Sequence, residues 1–234
     1  MKINFLDMGM MSRKQIKNEA EKVCRIINSE FPVISATKIS EFDNTRNNPK
    51  FKLFTQEIQK RITDKVRDPM WPYRGDGQEL ELFKILIEKV KEFRVANCGD
   101  LSKLCKLICN INNIPTRKAE MIFSQDGILK GRIDHAIQIL PFTDEQLKFA
   151  PLSKLKDVLI IDPWLGFAEF APKAGEMFQK EYGRFFGLEE GNIIHLDPLN
   201  NMEPHVTKEV IEYFRRHFPQ FIINKNKPLI NHNK

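Results

Sequence analysis

Three features of this 234-residue chain predict an α+β fold in which helices come first and an antiparallel sheet follows. Apolar residues recur every three or four positions from Ile16 to Ile111, the spacing of a buried helix face. After Asn113 the period shortens towards two, so that Ala119 to Phe123, Ile128 to Leu140 and Asp157 to Pro163 read as strands. A content of 41% hydrophobic and 29% charged residues belongs to an ordinary globular protein with enough chain to bury a core.

Each element has a local reason. Ser12 and Gln15 make an S-x-x-Q capping box ahead of Ile16, Ala20, Val23, Cys24, Ile27 and Phe31, and Phe31-Pro32 ends that helix. Ile34 to Asn48 reads as loop. Asn48-Pro49 then supplies a cap and a first-turn proline for a helix carrying Phe54, Ile58, Ile62 and Val66, which Asp68-Pro69 is expected to stop. A turn from Met70 to Gly77 precedes a third helix with Leu80, Phe83, Leu86, Ile87 and Val90 inward.

The next helix opens at Cys98, capped by Asn97 with Asp100 three residues on. First-turn N–H groups and the positive dipole end favour thiolate over thiol there. Cys105 and Cys109 lie on nearly the same side as Cys98 and read as core packing. Their spacing matches no zinc motif, and neither a metal nor a cofactor is expected. Gln125-Asp126-Gly127 is a turn between two strands. A connection from Pro141 to Lys156 leads to the Asp157 strand, a helix is expected over 172–186 and a short strand over 192–197. A last helix carries Val206, Val210, Phe214 and Phe218 up to Pro219, and 224–234 is a frayed tail.

Cys98, His135 and Asp162 have the residue types of a thiol nucleophile, its base and the acid that orients the base. Pairing the two strands antiparallel with His135 opposite Asp162 sets Ile137 against Ile160 and Ile139 against Val158, all on one face. His195 is the rival base and Asp134 the rival acid. Asn97, Gln78 and Trp71 are candidates to complete an oxyanion hole with the Cys98 N–H. Trp164 and Tyr73 are candidate substrate contacts, with a plain role as core or rim aromatics as the alternative.

Cys98-Gly99-Asp100, Asn113-Ile114-Pro115-Thr116-Arg117, Asp134-His135-Ala136 and Ile161-Asp162-Pro163-Trp164 together resemble the core of the transglutaminase-like superfamily of papain-fold cysteine enzymes. The resemblance covers Arg94 to Trp164. Asn113 stands where the family has glycine, and Ile137 where many members carry an aromatic. It implies a papain/transglutaminase-like core over 94–223, with the Cys-bearing helix packed on an antiparallel sheet. A helical N-terminal extension over 1–93 would pack on it. It implies acyl transfer or hydrolysis on a protein substrate, as cysteine protease, glutamine deamidase or transglutaminase, with small bacterial toxins and effectors acting on a host protein among the similar members. Arylamine N-acetyltransferase, an inactive protein-binding scaffold and a nucleic-acid binder are the alternatives.

The net charge of +6 and pI near 9.1 raise the nucleic-acid reading. The excess is spread, with 18 Lys/Arg against 14 Asp/Glu through Phe93, so no nucleic-acid partner is expected. No apolar run approaches the ~18 residues of a membrane span. Four cysteines without a disulfide-framework pattern point to a reducing compartment, the cytoplasm by default. Met1 to Lys14 shows no Sec-type signal, and the resemblance to effectors implies translocation into a host by another route.

Overall fold

The computed structural model describes residues 11–35, 49–141, 147, 150–180, 183, 188, 191–198 and 204–223. The expected cap at Asn48, most of the two long connections, the second half of the helix over 172–186 and the tail lie outside the described residues. The fold is α+β, with helices packed on a curled antiparallel sheet.

Helix α1 (Arg13–Glu30) starts at the Ser12–Gln15 capping box, both halves of which form. Helix α2 (Pro49–Ile62) does not stop at Pro69. Its last turn loosens into a π-helical stretch, Thr63–Arg67, closed by the Asp68 N–H donating to the Thr63 carbonyl, and helical structure runs on through Asp68–Met70 to a 3₁₀ turn at Trp71–Tyr73. The widened turn changes which carbonyls are called on, so the N–H that Pro69 lacks is not missed. Helix α3 (Glu79–Phe93) ends at Arg94, which takes a left-handed φ of 52°.

Val95 to Asn97 then runs beside the end of the α1 connection, with Ile34 donating to the Arg94 carbonyl at 2.9 Å and Ala96 donating to that of Ile34 at 3.3 Å. Helix α4 (Cys98–Ile111) follows. Its exit bends at Asn113, whose φ of 59° shows why asparagine can stand where glycine would otherwise be needed.

Strands β1 (Arg117–Gln125) and β2 (Ile128–Pro141) form a hairpin whose two-residue loop, Asp126-Gly127, has positive φ at both positions. The sheet is completed by β3 (Ala150–Pro151), β4 (Val158–Asp162), β5 (Phe167–Phe170) and β6 (Ile193–Pro198), in the order β3-β6-β1-β2-β4-β5. Helix α5 (Ala171–Lys180) covers one face; α1, α3, α4 and α6 (Lys208–His217) share a larger core on the other. Strands β3 and β5 are absent from the sequence expectation, each being too short to show a period.

The expected β2–β4 register is off by two residues. Ile139 faces Ile160 and Pro141 faces Val158, so His135 does not sit opposite Asp162. An even slip keeps every side chain on its predicted face. Ile137, Ile139, Val158 and Ile160 do share one core, and alternation alone could not tell the two registers apart. Against β1, Glu120 and Met121 face Ala136 and Ile133, so Asp134 and His135 form a bulge in β2.

The end of α4 is held by Asn112, which donates to the Ile108 and Phe221 carbonyls and accepts from the Ile223 N–H, each at 2.8 Å. Removing a buried amide of this kind orphans its partners, so Asn112→Leu is expected to cost about 1–3 kcal/mol in urea unfolding. A loss within ~0.3 kcal/mol would mean that the clamp is not needed.

Candidate active site

Cys98 is placed by the cap its neighbours form. Asn97 Oδ1 accepts from the Asp100 N–H and Asp100 Oδ2 accepts from the Asn97 N–H, both at 3.4 Å. Asp100 is itself buried, and its charge is met by Arg67 at 3.6 Å and Lys103 at 3.4 Å. Helix α4 is fixed over the sheet by Gln138, which donates to the Ser102 carbonyl at 3.2 Å and to its hydroxyl at 3.0 Å. Cys98 is 8% exposed, whereas Cys24, Cys105 and Cys109 are sealed in the core.

The bulge carries His135 to the seam between the two cores. Its ring lies 4.9 Å from that of Trp164 and 6.5 Å from that of Phe178, centroid to centroid. Nε2 donates to Asp162 Oδ2 at 2.5 Å, and the imidazole also makes a side-chain hydrogen bond with Cys98. With Nε2 facing the carboxylate, Nδ1 is the nitrogen left to face the sulfur. The second oxygen of Asp162 accepts the backbone N–H groups of Trp164 and Leu165, both at 3.0 Å. These contacts come from the turn between β4 and β5, which closes with Gly166 donating to the Asp162 carbonyl at 2.8 Å and a φ of 87° at Gly166.

Burial alone would lower the imidazole pKa, but the charge and hydrogen bond of Asp162, with a smaller contribution from Cys98, raise it to about 10. Below that pH the ring is a cation. Burial pushes the Cys24 and Cys105 thiols well up. Cys105 and Cys109 lie sulfur to sulfur at 3.9 Å in the core, as packing would have it.

Cys98, His135 and Asp162 are therefore brought together in space. The other candidates are placed differently. His195 sits on β6, bonded to the Ser124 hydroxyl at 2.7 Å, so the rival base is two strands from β2. The side chain of Asp134 lies outside the described part of the structure. Asn97 stays beside the sulfur, but its oxygen caps α4. Gln78 and Tyr73 line a groove with Thr207, Lys208 and Val210 that contains none of the three assembled residues. Trp71 is 68% exposed, under the Arg74 guanidinium at 4.4 Å.

Trp164 is buried as the packing partner of His135. Its position, together with the roles of Leu165 and Gly166, could have been suspected from Pro163 directly after Asp162 and Gly166 four residues after it, the signature of a tight turn. Nothing in the sequence pointed to Phe178 or Arg67.

A histidine whose pKa is 6.5 when exposed and about 10 when folded stabilises the fold fully below pH 6.5, and that contribution fades as pH rises through 10. Thermal unfolding of the wild type against His135→Gln should therefore show a difference that is largest near pH 6 and shrinks steadily towards pH 10.5. A difference independent of pH would remove the imidazolium from this site. No protein-family model matches the chain, and neither a curated protein nor a solved structure matches it.

Proposed function

We propose that the protein is a thiol-dependent acyl transferase or hydrolase acting on a carboxamide of a protein substrate, with Cys98 as nucleophile, His135 as proton carrier and Asp162 as the acid that orients and charges His135. The observation that carries this reading is the hydrogen-bonded chain from Asp162 through the buried imidazole to Cys98, the one cysteine of the four with any exposed surface, 8% against 0% for the others. The transglutaminase-like resemblance of the surrounding motifs supports the same chemistry.

In the first step the Cys98 sulfur, its proton held by His135, bonds to the carboxamide carbon. The Cys98 N–H at the α4 N-terminus is the donor best placed for the oxyanion. The tetrahedral adduct collapses with cleavage of the C–N bond, and His135 gives its proton to the departing nitrogen. In the second step water or an amine adds to the thioester, His135 takes its proton, and the C–S bond breaks to restore Cys98. Water on a peptide bond gives proteolysis, water on a glutamine side chain gives deamidation, and a lysine amine gives cross-linking. An apolar side-chain environment around His135 keeps competing water from the ion pair.

Iodoacetamide followed by peptide mass mapping should modify Cys98 well ahead of Cys24, Cys105 and Cys109, and His135→Gln should slow that modification. Equal rates at all four cysteines would sink the assignment. Ammonia release from protein glutamines, peptide cleavage and amine incorporation, run side by side, should reveal one activity. Cys98→Ala should abolish it, and Asp162→Asn should reduce it by about 10²–10⁴.

A further inference from the structure

We infer that the pocket beside Trp164 is a subsite for a tyrosine-like side chain of the substrate, held next to the attacked carbonyl. This deepens the proposed thiol chemistry and rests on it. The pocket has a volume of about 360 Å³ and is walled by Phe31, Val33, Leu101 and Trp164, with Asn28 and Ser35 as its polar members. That volume is at the lower end for a ligand pocket and suits one large side chain.

Its position follows from the site. Leu101 is three residues after Cys98 on α4 and so lies on the same helix face, while Trp164 packs on the imidazole of His135. None of Cys98, His135 and Asp162 lines the pocket, but two of its walls are a neighbour of the nucleophile on α4 and the ring packed on its base. The remaining wall, Phe31 to Ser35, is tied to the segment that ends in Cys98 through the bonds of Ile34 with Arg94 and Ala96. Pocket and sulfur are held in one frame.

Ser35 points to the occupant. It is 2% exposed, and its hydroxyl has no hydrogen-bond partner among the described residues. A hydroxyl buried in that state is unfavourable, and a pocket that keeps one is completed by a ligand that brings the missing partner. The walls ask for an apolar, preferably aromatic body, and the hydroxyl asks for a polar group on it. A phenol side chain supplies both.

The test uses N-acetyl aminoacyl chloromethyl ketones bearing a glycine, leucine, phenylalanine or tyrosine side chain, with the rate of Cys98 alkylation in the full chain followed by intact mass. The tyrosine reagent should label at least ~10-fold faster than the glycine one and measurably faster than the phenylalanine one, by the logic that a site with a waiting hydrogen-bond group discriminates against a ligand lacking it. Ser35→Ala should erase the tyrosine-over-phenylalanine difference and keep the aromatic advantage. Ser35→Leu should fill the pocket and erase that advantage, each rate being read relative to the glycine reagent on the same variant. Equal rates for the glycine and tyrosine reagents on the wild type, which needs no variant to fold, would overturn the subsite, as would an aromatic advantage that survives Ser35→Leu. Failure of Cys98 to outpace the other cysteines with iodoacetamide would instead overturn the thiol chemistry.

Discussion

The structure around the site depends on keeping a charged carboxylate and an imidazole together out of water. Asp162 is fully buried and His135 nearly so. Desolvating such a pair costs several kcal/mol per ion, and attraction offsets it only when the remaining lone pairs and protons are also satisfied. The fold meets that condition at each atom. Asp162 receives two backbone N–H groups on one oxygen and the imidazole on the other, and the ring is flanked by Trp164 and Phe178 with Cys98 as its further partner. The tight turn after β4, the bulge in β2 and the starting point of α4 are three geometric demands of this one pair.

A second buried carboxylate lies in the same helical turn as the sulfur. Left alone, Asp100 would oppose any negative charge developing on Cys98 or on the bound carbonyl, cancelling what the helix dipole offers. Arg67 and Lys103 balance it. Arg67 is the last residue of the π-helical stretch, which thereby links the long second helix to the chemistry of the fourth. The loosened turn and the cap are two parts of one electrostatic arrangement.

Features fixed within a few residues were legible in the sequence, because their physics is local. Both capping boxes, the left-handed Asn113 and the Asp126-Gly127 turn form as their residue types require. Cys98 and Asp162 were legible for the same reason, each sitting at an element boundary with its own signature, whereas His135 lies inside β2 and was legible from its residue type and strand context. Register was not, since a two-residue slip of β2 against β4 leaves the apolar face unchanged, and the bulge at Asp134-His135 has no apolar signature of its own. Pro69 misled because a proline forbids one hydrogen bond, and a π-helical turn upstream relieves that demand. Trp164 was weighed both as a substrate contact and as a core aromatic on its residue type, and its indole packs on the imidazole while lining the adjacent pocket.

In the proposed reaction the same electrostatics separates the two proton transfers. Before attack, Asp162 and the Cys98 sulfur both hold the proton on His135, so the ring is a poor base and gives its proton up only reluctantly. Acylation converts that sulfur into a neutral thioester, so both contributions of Cys98 to the raised imidazole pKa vanish. Burial, which works against the charged ring, is then opposed by Asp162 alone. The proton is thus most readily lost at the moment the leaving nitrogen needs it. The imidazole left behind is neutral and faces the thioester, where an incoming water or amine must be deprotonated. Asp162 sets the orientation in both halves, and whether the sulfur is free or acylated decides whether His135 acts as base or acid.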